Sequence, residues 1–545
     1  MTTTHYLALE DVSCVLPNGT PLFSHLTETF DSQRRTALVG RNGSGKTVLA
    51  RLLAGEWLPT RGRCLRSGTV HHLAQQTAQP PAGATVADLA GVQAVLSALR
   101  RIESGSTDPA DFDAVGERWQ IRHELAQSLE QHGLAHLLAH TPAAHLSGGE
   151  ATRLALVGAL LSETDFLILD EPTNHLDQPN RRALLHQLAQ WPRGLLVISH
   201  DRQLLDTMER IVELSPLGLR SYGGNHAFYA QAKAQEQQNA EADLDRAKRL
   251  RRQEERALRA QRDRQEKRQA RGAQTGRQAN QAKILLDRQK ERSEQSTGKL
   301  LRQHAATRQA LSQRVREAAE RVAGEAAIHL HAPPSPGVAR RLVAELQEVE
   351  LPFVREALRH ISLQIGSRQR MGLTGPNGSG KSTLLKVLAG QLNPHAGHCQ
   401  VAPGAVYLDQ SLDHLHPDRS ALNQLQLARP STTESALRMR LAQLGLDAQR
   451  ATLPTRLLSG GERLKAALAC ALYADPPAPL LLLDEPSNHL DLPSLRALEA
   501  LLASYPGAML VSSHDPVFLA ALALTDRLEA SHKGWRLLPG VLSRK

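Results

Sequence analysis

The octapeptide GRNGSGKT runs from Gly40 to Thr47 and matches the pattern GxxxxGK[ST]. Gly40, Gly43 and Gly45 let the backbone N–H groups turn inward at a helix N-terminus, which favours negative charge. Asn42 lies inside the loop, Lys46 adds a point charge, and Thr47 supplies a hydroxyl suited to Mg²⁺. A second octapeptide, GPNGSGKS at Gly375 to Ser382, repeats the arrangement with Gly375, Asn377, Gly378, Gly380, Lys381 and Ser382. The apolar runs RTALVG and RQRMGLTG precede the two loops. VLARLLAG and TLLKVLAG follow with apolar residues at helical spacing. The pattern is strand, glycine loop, helix, written twice.

The repeat extends well beyond the loops. Lys46 and Lys381 are 335 residues apart, as are Gln75 and Gln410. The offset falls to 312 between the two LSGGE motifs, which hold Ser147, Gly148, Gly149 and Ser459, Gly460, Gly461. It is 314 for Glu171 and Glu485, and again for His200 and His514. An offset that changes only between motifs describes two homologous domains, with about 23 extra residues in the first between Gln75 and Ser147. DFLILD and LLLLD are continuous apolar runs ending in Asp170 and Asp484, as expected of strands buried on both faces of a parallel sheet. Each of these aspartates is placed to help hold Mg²⁺, and the glutamate after it to activate a water. His200 and His514 each follow their glutamate by 29 residues and read as sensors of a terminal phosphate.

Charge locates a third part of the chain. The net charge is +10, and residues 231–330 carry 24 Lys and Arg against 14 Asp and Glu, which is the whole excess. Focused positive charge attracts polyanions, although a charge run can also be a merely solvated face. Flanking RGAQTGRQANQAK (Arg271 to Lys283), the segments Tyr229 to Gln269 and Ile284 to Arg321 are rich in helix formers and lack proline. The reading is α/β, with two P-loop domains at 1–228 and 337–545 joined by a basic helical hairpin at 229–336. Gly272 and Gly276 would lie in its turn, and Arg271, Arg277 and Lys283 would be offered to RNA at its tip. No apolar run is long enough for a membrane helix. The four cysteines are far apart, which fits a reducing, cytoplasmic setting.

LSGGE has no counterpart in a stand-alone phosphate-loop ATPase. With it, the chain resembles the ATP-binding cassette superfamily over nearly all of both halves, down to the NHLD motifs at 174–177 and 488–491. That resemblance implies ATP and Mg²⁺ as cofactors and a monomer folded as a head-to-tail sandwich. Lys46, Gln75, Asp170, Glu171 and His200 would face Ser459, Gly460 and Gly461 across one ATP. Lys381, Gln410, Asp484, Glu485 and His514 would face Ser147, Gly148 and Gly149 across the other. Two cassettes on one chain with a charged linker are similar to the ABC-F proteins, as is SYGGNHAFY at Ser221 to Tyr229, with His226 where that family has tyrosine. The resemblance implies a ribosome partner (rRNA and tRNA), as an elongation factor or a protector against ribosome-bound antibiotics. The rivals are an ATPase subunit of a membrane transporter and a DNA-repair ATPase. Two departures stand out: the first-domain insert is short for the family's arm, and only Leu16 and Phe353 stand near where adenine would stack.

Overall fold

The computed structural model describes residues 5–74, 83–146, 148–174, 176–278, 305–319, 342–409, 412, 415–430, 432–473, 478–488 and 490–539. Gln75, Gln410, Ser147 and Lys283 lie outside the described residues. Both cassettes belong to one compact unit, and a second unit runs from Ala230 to Ala327.

The first cassette has nine strands: β1 (Tyr6–Val15), β2 (Pro21–Asp31), β3 (Thr36–Gly40), β4 (Arg61–Arg66), β5 (Val70–Leu73), β6 (Phe166–Asp170), β7 (Gly194–Ile198), β8 (Arg210–Ser215) and β9 (Gly218–Gly223). They form a three-stranded antiparallel sheet, β2-β1-β4, and a six-stranded sheet, β5-β6-β7-β3-β8-β9. The larger sheet is parallel except at its β9 edge. The second cassette repeats this with β10 (Leu342–Glu350), β11 (His360–Gly366), β12 (Arg370–Thr374), β13 (Ala396–Val401), β14 (Val406–Leu408), β15 (Leu480–Asp484), β16 (Ala508–Ser512), β17 (Asp526–Ser531) and β18 (Gly534–Pro539). Its sheets are ordered β11-β10-β13 and β14-β15-β16-β12-β17-β18. The two copies correspond strand for strand, as the repeat requires.

The apolar runs are buried for the reason their composition gives. Every residue of β6 and β15 is buried, since a parallel strand covered on both faces meets water on neither. In the first cassette Leu49, Leu52 and Leu53 of helix Lys46–Ala54 pack with Leu7, Leu9 and Phe30 of the small sheet and with Phe166 and Ile168 of the large one. Each phosphate loop is thereby fixed to a packed core.

The insert is confined more tightly than the motifs allowed. Thr85 pairs with Pro142, and Ser420 with Pro454, in equivalent isolated bridges. The intervals are 57 and 34 residues, so all 23 extra residues lie between Thr85 and Pro142. Helices Val86–Leu89, Gln93–Glu103, Pro109–Val115 and Ile121–Gln131 occupy that span, where the second cassette has helices Ala421–Ala428 and Glu434–Gln443 and a short 3₁₀ turn.

The linker corrects one expectation. Its first helix runs unbroken from His226 to Gln278, through Gly272 and Gly276, so Arg271 and Arg277 stand on a helix and not in a turn. A glycine costs a helix about 1 kcal/mol relative to alanine, and the alanines, glutamines and arginines around these two outweigh it. At 1.5 Å per residue, 53 helical residues extend about 80 Å. Residues 305–319 are also helical. Leu244, Leu258, Leu311 and Val315 are half-buried, which fits a thin apolar seam, whereas Leu250 is exposed and Leu300 lies outside the described residues. Among the described residues no helix is long and apolar enough to cross a membrane. The four cysteines are free thiols.

Candidate nucleotide-binding sites

Strand β3 ends at Gly40 and helix Lys46–Ala54 begins just after the loop; β12 and helix Lys381–Leu388 frame the second loop in the same way. The residue capping each helix must be glycine. Gly45 has φ 98° and Gly380 φ 89°, and a Cβ there would come within 2.7 Å of Leu22 and 2.8 Å of Val354. Both lysines reach back inside their loops. The Lys46 ammonium donates to the carbonyls of Gly40 (2.8 Å) and Arg41 (3.1 Å), and Lys381 to those of Gly375 (2.9 Å) and Pro376 (3.0 Å). Burial lowers the pKa of both, against the pull of Glu171, Asp491 and Asp170 on one and of Glu485, Asp484 and Asp177 on the other. A phosphate chain would add countercharge directly beside each buried ammonium.

Asp170 and Asp484 end β6 and β15, both buried. Burial raises the Asp170 pKa, partly offset by a hydrogen bond with the Thr47 side chain, and its Oδ2 is buried without a hydrogen-bond partner. A buried carboxylate oxygen beside a hydroxyl is a donor set that fits Mg²⁺. Glu171 and Glu485 follow with φ of 51° and 49°, a left-handed backbone that non-glycine residues rarely adopt and that often marks a functional position. Burial pushes the Glu171 carboxyl up to about 8, although Lys46 opposes it, and Glu485 up to about 7 against Lys381. A carboxyl poised near neutrality is suited to take up a proton. His200 and His514 stand opposite these glutamates, with Nε2 3.7 Å and 3.4 Å from the carboxylate oxygens. Burial, with the nearby lysine, holds the imidazoles neutral, down to about 3 for His200 and about 4 for His514. His514 Nε2 is also 3.2 Å from Asn377 Oδ1.

The two halves meet at these loops. Asp491, the last residue of the second NHLD, accepts from the Asn42 N–H of the first loop at 2.9 Å. Asp177, its counterpart, accepts from the Asn377 N–H of the second loop at 3.2 Å. Each aspartate also caps its own helix, accepting from Ser494 N–H at 2.9 Å or Asn180 N–H at 3.3 Å, so the crossing contact is held rigidly. Gly461 faces the first loop: a Cβ there would lie 3.9 Å from Asn42 Nδ2. Ser459 caps the helix Gly460–Leu472, turning its positive end toward that loop. On the other side Gly148 and Gly149 begin the helix Gly148–Leu161. A cavity of about 350 Å³ in the second cassette is lined by Phe353, Lys381, Glu485 and His514, and by Thr173 and Arg181 from the first. Residue-level reading missed Asp177, Asp491 and Arg181 as site residues. The repeated acid of NHLD was the available signal for the first two; Arg181 is not repeated and left none.

The ABC transporter family profile matches residues 23–174 and 358–488. The tylosin resistance ATP-binding protein TlrC of Streptomyces fradiae is 32% identical, over 91% of this chain and 92% of its own length. The energy-dependent translational throttle protein EttA of Mycobacterium tuberculosis is 29% identical, over 91% of this chain and 87% of its own. This chain belongs to the ABC-F family of ATP-binding cassette proteins. As an ABC-F protein it is an ATPase built of two ATP-binding cassettes. Its fold is shared by the archaeal ribosome recycling factor aABCE1, solved in complex with the ribosomal stalk protein aP1. The TM-score is 0.56 at 18% identity, over 97% of this chain and 89% of that one.

The two sites of this ABC-F protein are not copies. Tyr407 donates its hydroxyl to Asp484 Oδ2 at 3.3 Å, whereas the equivalent His72 of the first cassette bonds through Nδ1 to Glu56 at 2.8 Å. Phe353 stands exposed at the rim of the second site, and the equivalent turn of the first is closed by Leu16 and Asn18 with no aromatic.

Proposed function

We propose that this ATPase binds the ribosome in its ATP-bound, closed state, directs its basic linker toward tRNA and rRNA, and dissociates on hydrolysis. It would serve in the cytoplasm as a translation factor or a protector against a ribosome-bound antibiotic. The observation that carries the reading is the reciprocal crossing of Asp177 and Asp491 onto the opposite phosphate loops. Because each loop is completed by the other cassette, nucleotide occupancy controls the closed form, and a partner that prefers that form is held only while ATP remains. Helix His226–Gln278, with 14 basic residues against 8 acidic ones, supplies a surface for phosphate backbones. The names of TlrC and EttA point to drug resistance and to translation.

In this mechanism the loop N–H groups and Lys46 or Lys381 hold the phosphate chain. Thr47 with Asp170, and Ser382 with Asp484, would hold Mg²⁺, which neutralises phosphate charge when bound. Glu171 and Glu485 take the proton of the attacking water. Neutral His200 and His514 would hydrogen-bond the terminal phosphate. Gln75 and Gln410 are assigned to the same sites, and Arg271, Arg277 and Lys283 to RNA contact.

The test is co-sedimentation of Glu171→Gln/Glu485→Gln protein with 70S ribosomes in ATP and in ADP. The ribosomal reading expects pelleting with ATP only. Recovery with membranes would favour the transporter reading. Salt-sensitive binding to naked duplex DNA without ribosome preference would favour the repair reading.

A further inference from the structure

Two arginines of the first cassette reach into the second, and neither has a counterpart running back. Arg181 lies in the first turn of helix Gln178–Ala189. Its Nη1 donates to the backbone carbonyl of His514 at 3.2 Å, and its Nη2 pairs with Asp201, the residue after His200. The Arg181 side chain is 8% exposed and that of Asp201 4%, so the bridge is dry. Asp201 is held without it, accepting from Gln203 N–H at 2.9 Å and Leu204 N–H at 3.3 Å at the head of helix Arg202–Asp206. Asp515 makes the same cap in the second cassette, with Val517 N–H at 2.9 Å and Phe518 N–H at 3.2 Å. The residue 314 positions after Arg181, however, is the buried Leu495, which cannot donate. Arg181 also lines the second cavity beside Lys381 and Glu485.

We infer that Arg181 is a positioning residue for the second site alone: its guanidinium fixes the backbone that carries His514 from across the interface. Among the described residues the equivalent position facing the first site holds Leu495, and that site does not depend on such a group. A planar guanidinium can hold the carboxylate and the carbonyl together, which a single ammonium cannot. Hydrolysis at the second site therefore requires the first cassette to be docked through Arg181 as well as through Asp177. This rests on the assignment of Glu485 and His514 above.

The experiment isolates each site by its glutamate. Full-length protein is loaded with ATP, Mg²⁺ is added, and the rate of the first ADP formed per chain is measured. In the Glu171→Gln background only the second site can turn over; in the Glu485→Gln background only the first. The change introduced is Arg181→Met with Asp201→Asn, which removes both buried charges while asparagine keeps the helix cap. The expected result is a roughly tenfold slower first turnover in the Glu171→Gln background and a rate within about twofold in the other, with two ATP still bound per chain. Arg181→Lys, which retains one donor, should recover part of the loss. Equal slowing in both backgrounds would mean a general packing role, and no slowing in either would leave Arg181 without a part; each overturns the inference. ADP formation by the Glu171→Gln/Glu485→Gln protein would instead refute the glutamate assignment, whatever Arg181 does.

Discussion

At the scale of single residues, the buried acids and bases set a pH signature for the nucleotide-free protein. Glu171 and Glu485, raised by burial to about 8 and about 7, bind protons when folded that they have lost when unfolded above the ordinary carboxyl range. Their contribution to stability therefore falls as pH rises toward 8. His200 and His514, lowered to about 3 and about 4, act oppositely, and their effect is complete once pH passes the ordinary imidazole value. Between about pH 6.5 and 8 the glutamates, and not the histidines, carry this dependence. Glu171→Gln/Glu485→Gln protein, with chelator and no nucleotide, should accordingly gain Tm over wild type by an amount that grows from pH 6.5 to 8. A difference that stays flat with pH would show that the two carboxyls are already ionised. The residues behind this signature were legible in the sequence, because the LDEP and SHD motifs repeat at one spacing. Their burial was not, because it depends on how the second cassette covers the first.

At the scale of elements, two buried tyrosines share an acid where helix His226–Gln278 begins. Glu213 accepts from the hydroxyls of Tyr222 (3.2 Å) and Tyr229 (3.1 Å), whose rings meet edge to face at 5.1 Å. Tyr229 lies in the first turn of helix His226–Gln278, and both tyrosines are buried. Glu213→Ala removes the carboxylate acceptor of two buried hydroxyls and should cost on the order of 2 kcal/mol in urea unfolding, with Tyr229→Phe costing less. An unchanged midpoint would show that neighbouring groups take over both hydroxyls. Sequence reading found the linker by its composition, but expected Gly272 and Gly276 to break the helix. Local glycine penalties of about 1 kcal/mol each are small beside a run of good helix formers, and only the sum over the element decides.

At the scale of the molecule, the cassettes are joined by a buried ion pair as well as by their loops. Arg202 donates to both carboxylate oxygens of Glu499 at 2.8 and 3.0 Å, with the side chains 9% and 11% exposed. Removing one partner leaves an uncompensated charge in a dry interface, so Arg202→Met alone should cost about 3 kcal/mol, and Arg202→Met with Glu499→Leu much less. Calorimetric melts of the two singles and the double form the cycle; additive losses would mean the pair does not interact. None of this was legible beforehand. The repeat exposes what the halves share, and this contact exists only where they differ: Pro516 stands at the position equivalent to the arginine, and Leu185 at the one equivalent to the glutamate.

The one-way crossing of Arg181 and Arg202 makes the halves complements and no longer duplicates. Two copies of the second cassette, docked on each other, would keep both aspartate clasps but place Leu495 and Pro516 where the two arginines stand. Two copies of the first would set each Arg202 against the apolar Leu185, a cation with no carboxylate to receive it. Covalent fusion of the two cassettes thus guarantees the one pairing in which Arg202 meets Glu499, and it does so at a fixed ratio of one to one.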